Sequence, residues 1–181
     1  GASAIRAEGI DNVRAVCAAV KVPVIGLIKA YNDASDVYIT PRVEDVINLA
    51  KAGALIVAVD ATQRTRWNGQ SLEEFYREVR KATSVQLLAD IDSVENAQIA
   101  AKLGFDAVAT TLHGYTDKPS SGLPNLDLIS EVARCVDVPL IAEGGFASPE
   151  AFKHALRNGA WAVCVGTAIT NPYLLTKQFL E

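Results

Sequence analysis

Seven short apolar runs alternate with seven amphipathic stretches of helical length, and this alternation restricts the fold more than any other feature of the chain. The apolar runs span 4–7, 24–28, 55–59, 85–89, 107–109, 140–142 and 162–165. Their hydrophobicity is nearly continuous, as expected of parallel strands covered by helices. The amphipathic stretches span 11–20, 43–52, 71–82, 93–103, 126–135, 149–157 and 173–180. The pattern predicts seven repeated βα units.

Residues at the predicted helix boundaries support the same division. The expected N-cap residues, whose side chains can accept a hydrogen bond from the first turn, are Asp11, Ser71, Ser93 and Ser148. Three helices have a cation near the last turn followed by a glycine that can adopt positive φ; these glycines are Gly53, Gly104 and Gly159. The βα unit is therefore also indicated by local residue choice.

The number and spacing of the units favour a TIM-type (β/α)8 barrel. Units begin about 20 to 33 residues apart, and eight of them need roughly 200 to 250 residues. With 181 residues, we expect one barrel domain over 1–181 whose first βα unit is absent from this chain. The alternative is an open, doubly wound sheet. The barrel is favoured because no G-x-G-x-x-G turn follows the first strand and no change of strand order is indicated.

Composition excludes several classes of function. Half of the residues are apolar and 21% are charged, which suits one buried core. A net charge of −4 gives no basic surface for nucleic acid. No apolar run approaches the roughly 20 residues that span a bilayer, and no secretory signal is visible, so we expect a cytoplasmic protein. The three cysteines and two histidines are too scattered for disulfides or a metal site, and we expect no cofactor.

Polar residues within or directly after the predicted strands are the candidate functional residues, because reacting groups of such barrels lie at the carboxyl ends of the strands. They are Arg6, Lys29, Asp60, Asp90, Thr110, Thr111 and Glu143. Lys29 follows five apolar residues, so we expect partial desolvation, which favours the neutral amine that a base requires. Glu143 precedes two glycines and either faces the ligand or caps the next loop, and we favour the first.

Other polar residues have two open interpretations. Asp90 either supports catalysis or caps the following helix, for which Ser93 is better placed. Asp60 either organises its loop or touches substrate. His113 lies in a loop at the expected active face and is a weaker ligand-contact candidate, whereas His154 is expected on a helix surface.

Two glycine turns follow the last two predicted strands and indicate a phosphate site. They contain Gly144 and Gly145 in the first turn, and Gly166 and Thr167 in the second. If one strand is missing at the start, these are strands seven and eight of a full barrel. Backbone N–H groups there form a recurrent phosphate site.

Seven segments taken together resemble, in order, the N-acetylmannosamine-6-phosphate 2-epimerase family of bacterial sialic-acid catabolism. The segments are 4–9, 23–29, 59–62, 88–91, 110–116, 141–144 and 165–170. The resemblance implies a TIM barrel that interconverts N-acetylmannosamine 6-phosphate and N-acetylglucosamine 6-phosphate without a cofactor or metal. It covers essentially the whole chain.

The resemblance also implies roles for individual residues. Lys29 matches the proton-transfer lysine of the family and Glu143 its catalytic glutamate, while Arg6 and Asp90 match positions that contact the sugar. The chain departs from the family in two places. It has no counterpart of an initial strand and helix that bear a substrate-binding glutamine, and Asn171 stands where a basic residue often binds phosphate.

We also expect Thr110 and Tyr115 to contact the substrate. The expected chemistry is proton abstraction next to a carbonyl, with Lys29 as base and Glu143 or protonated Lys29 as the donor to the oxyanion. Two alternatives remain at this point, a Schiff-base aldolase that uses Lys29 and a noncatalytic phosphosugar-binding protein. The expected assembly is a homodimer.

Overall fold

The computed structural model of the chain describes residues 1–116, 122–178 and 180. Seven parallel strands form one sheet in the order β1-β2-β3-β4-β5-β6-β7. The strands are β1 (Ile5–Glu8), β2 (Val24–Leu27), β3 (Ile56–Asp60), β4 (Gln86–Asp90), β5 (Ala107–Ala109), β6 (Leu140–Glu143) and β7 (Ala162–Cys164). The helices are α1 (Ile10–Ala19), α2 (Val43–Lys51), α3 (Leu72–Ala82), α4 (Val94–Leu103), α5 (Leu126–Cys135), α6 (Pro149–Arg157), α7 (Thr167–Thr170) and α8 (Pro172–Gln178).

The predicted strands and helices agree with the structure to within one residue at almost every boundary. Ser71, Ser93 and Ser148 are N-caps as predicted, since each side chain accepts a hydrogen bond from the backbone N–H three residues later. The prediction for Asp11 is wrong because α1 begins one residue earlier, with Gly9 as its N-cap. Asp11 instead lies in the first turn, where a carboxylate interacts favourably with the helix dipole.

Two elements were not predicted, and the last helix differs from its predicted range. The missed elements are a 3-10 turn over Thr110–Leu112 after β5 and the four-residue helix α7 after β7. Both are shorter than the length at which apolar periodicity is informative. The assigned part of α8 ends at Gln178, and residue 179 in its predicted range lies outside the described residues.

Strand residues alternate between two apolar layers, one inside the curved sheet and one beneath the helices. The inner layer contains Ile25, Leu27, Ala58, Leu88 and Ile141 with neighbours from the loops. The outer layer contains the intervening strand residues and the buried faces of the helices. Because successive side chains point to opposite faces of a strand, this division fixes which polar strand residues face the interior.

The sheet curves into a nearly closed barrel. Arg6 on β1 and Glu143 on β6 approach to 3.3 Å. In a flat sheet, the five strand spacings between β1 and β6 would separate them by about 24 Å, far beyond the reach of two side chains. Consecutive strand order and this curvature confirm the predicted barrel over the doubly wound alternative. Among the described residues, β1 and β7 form the two edges of the sheet.

None of the helices in the described part of the chain combines the length and the apolar character that crossing a membrane requires.

Candidate active site

The inner-face alternation brings the two main candidate residues to the same end of the barrel. On β2, Ile25 and Leu27 face the interior, and Lys29 is the next residue of that series. On β6, Ile141 faces the interior and Glu143 follows it two residues later. Because the strands are parallel, Lys29 and Glu143 both lie at the carboxyl mouth, as the sequence predicted.

Arg6, Asp90 and Glu143 form a charged cluster inside the barrel. Arg6 Nη1 donates to Asp90 Oδ1 at 3.0 Å and Arg6 Nη2 donates to Asp90 Oδ2 at 2.5 Å, so the two side chains form a bidentate ion pair. Arg6 Nη1 also lies 3.3 Å from Glu143 Oε2. The side chains of Arg6 and Asp90 are 10% and 0% exposed. Such a paired, buried guanidinium is rigidly held.

The pKa values within the cluster follow from burial and pairing. Burial alone would lower the pKa of Arg6, but the Asp90 and Glu143 carboxylates outweigh it, so the pKa is raised and Arg6 stays charged. Burial raises the pKa of Glu143, and the nearby Asp90 carboxylate raises it further, although Arg6 acts in the opposite direction. The protonated form of Glu143 is therefore more accessible than that of an exposed glutamate.

The raised pKa of Glu143 predicts a specific dependence of stability on pH. The unfolded carboxyl loses its proton near pH 4.5 and the folded one at higher pH, so between these values the folded state binds more protons. The contribution of Glu143 protonation to the free energy of unfolding is therefore fully present below pH 4.5 and is lost as pH rises through the folded pKa. Urea unfolding at several pH values should show the free energy of unfolding of Glu143→Gln increasing relative to that of the native chain as the pH rises toward 8. A constant difference across that range would contradict the shift.

Two neighbours complete the cluster: Thr111, which was among the candidate functional residues, and Cys164, which was not. The Thr111 hydroxyl donates to Asp90 Oδ1 at 2.7 Å, so Asp90 belongs to the cluster and does not cap a helix. Cys164 lies beside Glu143, and burial followed by the Glu143 charge raises the pKa of its thiol to about 12. Both residues continue the inner-face series of β5 and β7. That alternation was the available signal for them.

Lys29 is positioned by the loop between β2 and α2. Its backbone pairs with Ile39 in an isolated antiparallel bridge, and its N–H donates to Glu8 Oε1 at 3.3 Å. The Lys29 side chain is exposed. The predicted desolvation of Lys29 is therefore wrong for the free chain, because the strand extension carries this side chain beyond the apolar inner layer and into the open mouth.

Thr110 and Tyr115, which we expected to contact the substrate, lie in different environments. Thr110 is buried, and its hydroxyl donates to Glu143 O at 2.8 Å and accepts from Glu143 N at 2.9 Å. Its polar atom is thus engaged with the backbone of β6. Tyr115 is 56% exposed beyond the 3-10 turn, which leaves its ring accessible at the mouth.

The predicted phosphate turns have contrasting surroundings. Gly145 has φ of 71°, and a Cβ there would lie 2.4 Å from Leu123 Cβ, so the neighbouring loop itself requires glycine. Gly144 also has positive φ. By contrast, Gly166 and Thr167 are exposed at the start of α7, with nothing within 4 Å of a Cβ built at Gly166.

Asn171 caps helix α8 at the position where the family often has a basic residue. Its Oδ1 accepts a hydrogen bond from Leu174 N at 3.1 Å, in the first turn of α8. The side chain therefore acts as the N-cap of that helix.

Asp60 stabilises the loop that follows β3 and is not part of the charged cluster of Arg6, Asp90 and Glu143. It accepts hydrogen bonds from the Thr62 hydroxyl at 2.7 Å and from Arg64 Nη2 at 2.6 Å. The buried Arg66 donates to the carbonyl oxygen of Asp60 at 2.5 Å. These contacts fold the β3–α3 loop against the strand end and explain why Asp60 is fully buried.

The histidines lie where neither contacts the charged cluster directly. His113 is buried, with ring nitrogens near Asp92 O and Asn125 Nδ2, while His154 is exposed on α6. Within residues 1–116, 122–178 and 180, no three His, Cys, Asp or Glu side chains converge in a way that could hold a metal ion.

Comparison with known proteins identifies the family to which this arrangement belongs. The family model described as "Putative N-acetylmannosamine-6-phosphate epimerase" matches residues 1–181. A protein of Caldanaerobacter subterraneus subsp. tengcongensis named as such a 2-epimerase is 44% identical over 182 residues, covering 99% of this chain and 77% of that protein. A Clostridium perfringens (strain SM101) relative of the same name is 41% identical, covering 100% of this chain and 82% of that protein.

Solved structures support the same family assignment. The N-acetylmannosamine-6-phosphate 2-epimerase from Clostridium perfringens superposes with a TM-score of 0.93 at 39% identity, over 99% of this chain and 79% of that one. A mandelate oxidase matches with a TM-score of 0.63 at 18% identity and shares the fold alone. These matches support the epimerase interpretation and give no support to the aldolase or noncatalytic alternatives. The chain therefore belongs to the N-acetylmannosamine-6-phosphate 2-epimerase family.

Proposed function

We propose that the chain is an isomerase that interconverts N-acetylmannosamine 6-phosphate and N-acetylglucosamine 6-phosphate without a cofactor. The observation that carries this proposal is the buried Glu143, whose pKa is raised, at the same mouth of the barrel as Lys29. A base and a proton donor at the same end of the barrel are what inversion next to a carbonyl requires. Arg6 and Asp90 line the interior between them.

The reaction begins with the open-chain aldehyde of the sugar, because the C2 proton is acidic only beside a carbonyl. Neutral Lys29 takes that proton, and the electron pair of the broken C–H bond forms a C1–C2 double bond while charge moves to the C1 oxygen. The exposed Lys29 loses its water when the sugar fills the mouth, which favours the neutral amine. A proton then returns to the opposite face of C2.

Glu143 stabilises the oxyanion that develops at C1. Its Oε2 is buried and lies 3.3 Å from Arg6 Nη1, without a hydrogen bond of ordinary geometry among the described residues; in this proposal that oxygen turns to the substrate. In the protonated form that burial favours, the carboxyl donates a hydrogen bond to the C1 oxygen. Acid–base groups contribute about 10² to 10⁴ in rate and oxyanion stabilisation about 10² to 10³, so both are needed.

Arg6 and Asp90 provide a fixed polar surface for the sugar. Arg6 is held by two hydrogen bonds to Asp90, and its charge faces Glu143 at 3.3 Å. A guanidinium fixed before the substrate arrives orients sugar hydroxyls without further ordering cost. Tyr115, which is exposed at the mouth, contributes a second contact.

The phosphate of the substrate supplies binding energy away from the reacting carbon. In this proposal, backbone N–H groups of the two glycine turns, Gly144, Gly145, Gly166 and Thr167, hold the phosphate. The accessible backbone at Gly166 supports that role more strongly than the close contact of Gly145 with Leu123. Remote binding of this kind fixes C2 over the base.

Deuterium incorporation tests the reaction. Incubation of the chain with N-acetylmannosamine 6-phosphate in deuterated water should yield N-acetylglucosamine 6-phosphate that carries deuterium at C2, as read by proton NMR. The physical reason is that the abstracted proton exchanges with solvent or is replaced from it. Product without deuterium, or no product at equilibrium, would overturn the proposal, and inclusion of a chelator controls for adventitious metal.

We further infer a cytoplasmic homodimer. Large apolar side chains are exposed just before and after β7, at Trp161 (74%), Ile169 (67%) and Tyr173 (75%). Exposed apolar side chains beside an unpaired strand edge favour association. Sedimentation equilibrium decides the matter, since a mass of one chain at micromolar concentration would exclude the dimer.

A further inference from the structure

Two buried threonines each bind both backbone groups of one residue at the end of a strand, next to or at a candidate catalytic residue. Thr40, in the loop after β2, accepts a hydrogen bond from Ile28 N through its hydroxyl at 3.1 Å. The N–H of the same threonine donates to Ile28 O at 2.7 Å. Both backbone groups of the residue before Lys29 are therefore bound to Thr40.

Thr110 binds both backbone groups of Glu143, at the end of β6, through its hydroxyl alone. Its hydroxyl donates to Glu143 O at 2.8 Å and accepts from Glu143 N at 2.9 Å. Both backbone groups of Glu143 are thus bound to one side chain. Thr40 and Thr110 are 0% and 3% exposed, so neither hydroxyl faces bulk water.

The backbone conformation of Thr40 is a second observation that points to a structural role for this residue. Its φ is 45°, and among the described residues it is the only one other than glycine with positive φ. A β-branched residue in this region is strained, and such strain persists where the surrounding structure requires it. The neighbouring backbone bonds, Ala30 N to Tyr38 O at 2.9 Å and Asp60 N to Ile39 O at 3.0 Å, show that the segment bearing Thr40 lies between the ends of β2 and β3.

We propose that Thr40 and Thr110 are positioning residues that set the backbone from which Lys29 and Glu143 reach the substrate. The inference rests on the proposed function of these two side chains. Neither threonine touches the reacting atoms in this arrangement. Each sets the direction in which the Lys29 or Glu143 side chain leaves the carboxyl end of its strand. A displacement of about 1 Å of such a reacting group can cost about 10²-fold in rate.

Valine and serine variants separate the hydroxyl from the shape of the side chain. Thr40→Val and Thr110→Val keep the branched shape and the strain but remove the hydroxyl, whereas Thr40→Ser and Thr110→Ser keep the hydroxyl. We expect the valine variants to lower kcat for epimerisation by on the order of 10- to 100-fold. KM should stay within about threefold of the native value, and the serine variants should recover most of kcat. Thr176→Val, which removes an exposed hydroxyl bound to Pro172 O in α8, is the matched control and should leave kcat unchanged.

Amide hydrogen exchange gives a readout independent of turnover. Thr40→Val should speed exchange at the Ile28 amide, and Thr110→Val at the Glu143 amide, each by about tenfold or more. Unchanged protection in both valine variants would overturn the proposal. So would native kcat in the valine variants, serine variants as slow as valine variants, or a loss confined to KM. An inactive native chain would instead refute the proposed function, which separates the two failures.

Discussion

Lys29→Ala should abolish epimerisation and the incorporation of deuterium at C2, with a fall in kcat of about 10³-fold or more. Removing the general base alone is expected to cost about 10² to 10⁴. Because Lys29 is exposed and its side chain stabilises no buried partner, the free energy of unfolding should change little. The measurement is proton NMR of product formed in deuterated water, together with urea unfolding of the same preparation.

Two further variants make the Lys29 experiment specific. Lys29→Arg keeps a long cationic side chain but cannot deprotonate, so it should be as inactive as the alanine variant. Lys21→Ala removes another exposed lysine, one that precedes β2 at the opposite end of the barrel, and should retain native activity. Native rates of deuterium incorporation in Lys29→Ala would refute the assignment of the base.

Arg6→Ala should produce the largest loss of stability, about 3 to 5 kcal/mol in the free energy of unfolding. The reason is that Asp90, 0% exposed, would keep a buried carboxylate without its ion-pair partner, and removal of one member of a buried pair typically costs this much. Glu143 would lose its contact with Arg6 as well. Activity should fall with it, because Asp90 and Glu143 lose the guanidinium that holds them in place.

An exposed ion pair of the same chemistry is the control. Arg14 donates to Asp11 at 2.7 Å, but the two side chains are 63% and 96% exposed, so Arg14→Ala should cost less than about 1 kcal/mol. The double variant Arg6→Ala with Asp90→Ala should recover part of the stability lost in Arg6→Ala, since the Asp90 carboxylate is then no longer buried without its partner. Urea unfolding of Arg6→Ala within 1 kcal/mol of the native chain would contradict this account.

The sequence predicted the repeated units well because their signals are local. Apolar runs, N-cap serines and C-terminal glycines act over a few residues, and so Ser71, Ser93 and Ser148 were identified correctly. The Asp11 prediction failed for an equally local reason, since Gly9 can occupy an N-cap position without a side-chain hydrogen bond. Local chemistry thus specified the elements to within about a residue.

Strand-end position was a useful but incomplete guide to the site. It selected Lys29 and Glu143, which the structure brings to the same mouth, and Arg6 and Asp90, which the structure pairs. It missed Cys164, because only the alternation along β7, and no feature of the cysteine itself, places this residue beside a carboxyl group. It also assigned Thr110 to substrate binding. Nothing in the sequence indicates that the Thr110 hydroxyl binds the backbone of a residue 33 positions away.

By itself, the sequence determined the order of strands and helices, the residues at the strand ends and the net negative charge. Only the tertiary structure decided that Arg6 joins Asp90 and Glu143, that Lys29 stands in the open mouth, and that Thr40 and Thr110 each bind a strand end. The physical reason is that these contacts depend on how far the sheet curves and where the loops return. Such distances arise from the packing of distant segments and leave no periodic trace along the chain.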